Sequence, residues 1–375
     1  MLRGVLAFAF VLLVAVAVRP ASAQPVFGLP VACEMGIVCT VQNYIDHDPG
    51  PGVADYTCGD LAYNGHDGTD IRVPNMTFVA RGVPVLAAAA GTVVGRRDGV
   101  RDVNVREIGV ETVAGTECGN GVVLDHGGGW VTQYCHLRQG SVQVRGGQTV
   151  AAGEVIGLVG MSGHAEFPHV HVAFRYQERN VDPFVGIAAP ALCGAERRPL
   201  WSAEALAQLG YRATGVLNAG FASAPPESAQ IMAGQQQEPT LAADAPAMVF
   251  WVEVFGMAKG DRTRVRIVAP DGRAVVDATT EPSTQHWASR MTYNGLRRSA
   301  ARWPARTHRV LARCSGLDPR EDRRRHRRLV QVPRQGLARR GLALRLLRLI
   351  RSSRGSFILP VRLRCRASRL YSPPC

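Results

Sequence analysis

Between Tyr56 and Phe184 the chain sustains no helical period of apolar residues. Short runs rich in Val, Ile and Thr are instead broken by glycines, as in VPVLAAAAGTVVGRR, GNGVVLDHGGGWVTQYCHL, GGQTVAAGEVIGLVG and HVHVAFRY. Runs of this length, bounded by turn-forming residues, build strands and hairpins. A mainly β core of mostly antiparallel strands is therefore expected. Further on, MVFWVEVFGMAKGDRTRVRIVAPDGRAVVDATT alternates strand-like runs with turns at Ala258-Lys259-Gly260-Asp261 and Pro270-Asp271-Gly272, which reads as a small β-sandwich-like module.

The segments around this core differ in texture. Residues 1–23 carry Arg3, an apolar run from Gly4 to Val18 and small residues at Ala21 and Ala23. That is a secretory signal pattern, because a run of about 15 apolar residues is short of the roughly 20 that a membrane span needs. A cysteine-containing lead occupies 24–60, and the β core 61–193. A stretch rich in Ala, Gln, Pro and Ser over 194–247 reads as a linker, preceded by a short helix around WSAEALAQLG. The β module spans 248–296 and looks truncated. Residues 297–375 then carry 23 Arg against three acidic residues, and fit a disordered extension, a basic binding tail or the product of a shifted reading frame.

That tail decides how the net charge of +14 is read: it holds +20, which leaves −6 on the other 296 residues. The body of the protein is mildly acidic and offers no second basic surface, so nucleic acid is not an expected partner. No later stretch could cross a bilayer, since arginines interrupt GLALRLLRLI. Six of the nine cysteines precede residue 200, no C-x-x-C pair occurs, and in an exported chain such a set reads as disulfides whose pairing stays open. Cys33 and Cys39 are close enough to close a small loop.

Three local features carry metal or proton chemistry. His66-Asp67-Gly68-Thr69-Asp70 places an imidazole and a carboxylate four residues apart around a glycine, and both groups are standard zinc ligands. His169-Val170-His171, within FPHVHVAF, puts two imidazoles on one face of a strand while Val170, Val172 and Phe174 face the other way. His136 lies in Tyr134-Cys135-His136-Leu137, on a strand expected beside the metal strand. Each feature alone also suits an ordinary surface or structural role.

In this order and spacing, the HDGTD pair, the GNGVVLDHGGGWVTQYCHL hairpin, the VRGGQTVAAGEVIGLVGMSG segment and the PHVH close resemble the lysostaphin and LytM type of zinc endopeptidases over roughly Tyr63 to Phe174. The resemblance implies a compact antiparallel β core with a groove over one zinc ion. It implies His66, Asp70 and His171 as metal ligands, His136 and His169 as the unligated catalytic pair, and peptidoglycan peptides as substrate. The lead CEMGIVCTVQNYIDHDPGPG is similar to that of an exported proteobacterial branch, which implies a periplasmic or cell-envelope location. SGHAEF replaces a Ser-Thr-Gly-rich turn before PHVH, and VAF follows where an aromatic and a glutamate are common. His164 and Glu166, in that altered loop, are candidates for positioning substrate.

Three protein ligands leave a tetrahedral metal one position for water, as in catalytic sites. No H-E-x-x-H helix supplies a glutamate base, so that role falls to His136 or His169, the other stabilising the developing oxyanion. The competing expectations are a non-catalytic zinc domain that binds cell wall or regulates an amidase, and a nucleic-acid binder that uses the tail.

Overall fold

The computed structural model describes residues 24–187, 193–194, 196–236, 241–269, 271–301 and 303, with strand paths at Arg309–Ser315 and Val361–Leu363. Residues 1–23, expected to be a signal segment, lie outside them, as does most of the Arg-rich tail.

Ten strands build the first half: β1 (Thr40–Asn43), β2 (Thr69–Arg72), β3 (Pro84–Leu86), β4 (Gly91–Arg97), β5 (Asn120–Gly127), β6 (Trp130–Leu137), β7 (Thr149–Val150), β8 (Val155–Leu158), β9 (His169–Tyr176) and β10 (Arg179–Asn180). Eight of them form one sheet in the order β1-β2-β9-β6-β5-β4-β7, with β10 beside β9, while β3 and β8 pair separately. Every pairing in both sheets is antiparallel. Strand alternation sends Val170, Val172 and Phe174 of β9 into the same core as Ile71, Leu124, Trp130 and Tyr134. The opposite face of β2 and β9 is left for polar side chains.

Segments outside the glycine-rich stretch complete this core. Phe27 sets its ring edge-on to Phe174 and Trp130 at 4.9 and 5.9 Å. Tyr44, immediately after β1, packs against Tyr56, Phe184 and Tyr211. The lead therefore contributes an edge strand and core rings to the main sheet. Disulfides join Cys33 to Cys39, Cys58 to Cys193 and Cys118 to Cys135. The first is the small loop the spacing allowed; the other two are long-range pairings that spacing alone left open.

The second half contains β11 (Gly215–Ala222), β12 (Ala247–Met257), β13 (Arg262–Val268), β14 (Ala274–Thr279), β15 (Trp287–Arg297), β16 (Arg309–Ser315) and β17 (Val361–Leu363). A three-stranded sheet β11-β12-β15 and a four-stranded sheet β14-β13-β16-β17 pack around Phe250, Val252, Val254, Val265 and Ile267. This is the sandwich-like module. The short helix Ala203–Gln208 forms where WSAEALAQLG suggested one, capped by the Ser202 side chain.

Strand β11 lies inside the stretch that composition marks as linker. Its small residues are demanded by its partner: a Cβ on Gly220 would come within 2.8 Å of the Trp251 ring. A strand that supplies room for a neighbour's indole looks like a linker in composition. Among the described residues no helix is long and apolar enough to cross a membrane.

Candidate metal centre

Strands β2 and β9 pair with Asp70 opposite His171 and Arg72 opposite His169. Side chains directly opposite one another share a face, so this register alone brings a carboxylate beside an imidazole. The turn before β2 adds His66. The close approach there explains Gly68: a Cβ would sit 2.5 Å from His171 Cε1 and Nε2.

The three side chains converge on one point. His66 Nε2 lies 3.2 Å from Asp70 Oδ1 and 3.1 Å from His171 Nδ1, and His171 Nδ1 lies 3.0 Å from Asp70 Oδ1. All three residues are buried. An edge of about 3.3 Å is what ligand atoms about 2.0–2.1 Å from a tetrahedral zinc would span, so the triangle matches one face of such a polyhedron. The outer ring atoms support the same reading. His66 Nδ1 donates to the Tyr44 carbonyl at 2.6 Å, and His171 Nε2 donates to Asp67 Oδ1 at 3.2 Å. Both bonds turn the other ring nitrogen into the triangle, where its lone pair can bind a cation once any proton on it is displaced.

Charge is tuned to suit a cation. Burial opposes ionisation of Asp70, yet the nearby His66 and His169 and bonds from His171 and His66 hold its carboxyl well below the usual range. Burial likewise opposes charge on His171, but its bonds to Asp67 and Asp70 raise it to about 9. A cation entering the triangle would displace that proton, which is the ordinary competition between metal and proton for a ligand.

His136 and His169 stand beside the triangle, their ring centres 4.6 Å apart. His136 Nδ1 donates to the Ser162 carbonyl and His169 Nδ1 to the Phe167 carbonyl, each at 2.8 Å. Both Nε2 atoms are thereby bare, and that of His169 lies 3.5 Å from Asp70 Oδ1. Burial holds both rings below the ordinary histidine range, and for His136 the neighbouring His169 and His171 deepen the effect to well below it. Both are neutral at pH 7 and able to accept a proton.

Strict alternation would not have placed His136 here. Cys135 is the residue opposite His171, so a regular strand would turn His136 to the core face with Tyr134. His136 instead adopts a left-handed backbone, φ 61°, and its N–H is taken by the Cys118 carbonyl at 2.8 Å. A left-handed non-glycine residue costs energy and persists where its surroundings fix it.

His164 and Glu166 make other contacts. Glu166 pairs with Arg106 at 2.6 Å on the exposed rim, and the His164 N–H bonds to the Glu117 carbonyl. Asp67 and Tyr63 were not singled out by sequence pattern. Asp67 holds His171, and the Tyr63 ring lies 4.4 Å from that of His66. Asp67 sits within HDGTD, so a search for second partners of ligands in the motif would have found it.

Residues 64–183 match the model of peptidase family M23. The chain therefore carries a peptidase M23 domain of the lysostaphin and LytM type, with a His-Asp-His group able to hold a metal. It is 33% identical over 114 residues to cell division protein DipM of Caulobacter vibrioides, covering 30% of this chain and 14% of that protein. It is 33% identical over 135 residues to the DD-carboxypeptidase/endopeptidase Mpg of Neisseria meningitidis, covering 35% and 25%. It is 32% identical over 117 residues to the peptidoglycan DD-endopeptidase ShyA of Vibrio cholerae, covering 31% and 22%. The matched stretch spans a quarter or less of each relative's length.

Proposed function

We propose that this chain is an exported, zinc-dependent endopeptidase that hydrolyses peptide bonds of bacterial peptidoglycan in the periplasm or cell envelope. In this reading His66, Asp70 and His171 hold one zinc ion, and His136 and His169 are the catalytic pair. The domain limits that go with it are a signal segment over 1–23, a lead over 24–60 and a peptidase domain over 61–193. The observation that carries the proposal is the triangle of three donor atoms 3.0–3.2 Å apart with two bare, neutral imidazole nitrogens beside it. The names of ShyA and Mpg, peptidoglycan DD-endopeptidase and DD-carboxypeptidase/endopeptidase, support the substrate class.

Zinc, when bound, supplies a Lewis acid that acidifies a water and polarises the scissile carbonyl. The protein's own groups do the rest. One of His136 and His169 removes a proton from the attacking water through its bare Nε2, and the other donates a hydrogen bond to the developing oxyanion once its own Nε2 has taken up a proton from solvent. The carbonyls of Ser162 and Phe167 keep each ring in the tautomer that leaves Nε2 free before reaction. Proton return to the leaving amine then regenerates the neutral base.

The test is release of soluble peptides from purified peptidoglycan, with and without chelator. The wild-type protein should be active and lose activity on chelation. His171→Ala should lose both zinc and activity, and His136→Ala should retain zinc while losing activity. Normal hydrolysis by His136→Ala would overturn the assignment of roles. A zinc-loaded wild type that releases nothing would favour a non-catalytic cell-wall-binding domain.

A further inference from the structure

The outer contacts of the metal group lead out of residues 64–183 and into the lead. Strand β1 pairs with β2, and a bulge between Val41 and Asn43 shifts the register so that Asn43 lies opposite Asp70. An extra residue of this kind re-aims a side chain. Here it aims the Asn43 amide, whose Nδ2 donates to Asp70 Oδ2 at 2.9 Å. The next residue, Tyr44, supplies the carbonyl that takes the His66 Nδ1 proton at 2.6 Å. Two of the three metal-facing side chains are thus held by consecutive residues of a segment outside the family match.

We propose that Asn43 and the Tyr44 carbonyl are positioning groups of the metal centre, so that the lead is an integral part of the site. The inference rests on the metal reading above. Asp70 has two oxygens: Oδ1 faces His66 and His171, and Oδ2 is committed to Asn43. Remove the amide and the carboxylate is free to rotate, presenting either oxygen, both, or neither to a cation. The Tyr44 carbonyl acts in the same sense on His66, fixing the tautomer whose Nε2 is bare. Outer partners of this type hold ligands in their binding geometry in advance, so their loss is read in metal affinity.

The lead is fastened as such a role requires. Asn43 and Tyr44 are 4% and 1% exposed. The Tyr44 ring is wedged among three aromatic rings, and its N–H is taken by the Leu61 carbonyl at 2.7 Å. Two residues on, the Asp46 N–H bonds to the His66 carbonyl, and the Asp46 carboxylate accepts from the N–H groups of Asp48, Ala54 and Gly65. The Cys33–Cys39 bridge closes the chain just ahead of β1. The path from 43 to 46 therefore runs against both the ligand turn and the ligand strand.

The experiment uses the full chain, stripped of metal, with zinc affinity measured by competition against a chromophoric chelator. Asn43→Ala removes the amide. Gln42→Ala removes a buried neighbour on the same strand, whose side chain accepts from Arg72 at 3.0 Å. Zinc binding by Asn43→Ala should weaken about 10–100-fold, the usual consequence of deleting an outer partner, while Gln42→Ala keeps wild-type affinity. The cobalt(II) absorption spectrum should change in the first variant and not in the second. Unchanged affinity in Asn43→Ala, or equal losses in both variants, overturns the proposal. Should Asn43→Ala fail to fold, Asn43→Ser takes its place, with weakened zinc binding expected and wild-type binding overturning. A wild type that takes up no zinc overturns the metal reading as well, whereas normal zinc uptake by every variant overturns this inference alone.

Discussion

Gly68 carries no side chain because the His171 ring occupies the space where one would be. Gly68→Ala should therefore displace that ring and lower stability by about 1–3 kcal/mol, as overpacking does, with weakened zinc uptake. Urea unfolding and chelator competition measure the two effects, and a variant that is wild-type in both would contradict the packing argument. At the same scale, burial first, then His169 and His171, hold His136 well below its ordinary value of 6.5. On the proposal that His136 is the base, its depressed pKa keeps it unprotonated down to that lower pKa, so activity is retained through pH 6.5 and falls only below it. A bound cation would push in the same direction. The acid limb of the kcat/KM profile should lie below pH 6.5, and a limb at or above it would show that this histidine is not the base. Individual residues were unevenly legible in the sequence. Motif and alternation mark His66, Asp70, His169 and His171 as candidates, and only the family resemblance implies their roles. His136 reaches the cleft only through a left-handed backbone that alternation does not foresee, and Asn43 acts through a bulge that no local pattern announces.

Elements read well from sequence where one face of a strand is apolar and the other polar. Strand β9 is such a case, with Val170, Val172 and Phe174 inward and the histidines outward. Strand β11 reads poorly, because its glycines answer to rings of β12, Gly220 to Trp251 and Gly215 to Phe255, and not to a pattern of their own. Disulfides are a third kind: their existence follows from cysteine usage, but their partners depend on the fold. Cys118–Cys135 closes a loop across β5 and most of β6, next to the strained His136. Replacing both cysteines with serine should cost about 3 kcal/mol, the entropy of a loop near 15 residues, while the three ligand side chains stay intact. Thermal or urea unfolding of the double variant checks this; no loss of stability would mean that the hydrogen-bonded hairpin alone fixes this end of β6.

Across the whole molecule, Arg72 links β2, the strand that carries Asp70, to the second half. Its guanidinium, buried on β2, donates to Glu253 of β12 at 2.7 Å and to Gln42 of β1 at 3.0 Å, over the Phe167 ring. The pair is 181 residues apart in sequence, so neither charge pattern nor spacing could reveal it. Glu253→Ala should destabilise the protein by about 3–5 kcal/mol, because it strands a buried cation. Replacing both partners with methionine should cost much less, as seen by urea unfolding. Composition misleads at this scale, since the strongly basic balance of the chain belongs to its tail while the folded body is acidic. The Cys58–Cys193 bridge has a mechanical meaning as well. All five histidine and aspartate side chains of the centre lie between the two cysteines, so a pull on the outer ends of the chain passes through one covalent bond and bypasses them. Tension applied along the chain would leave β2, β6 and β9 off the load path until a reductant opened that bridge.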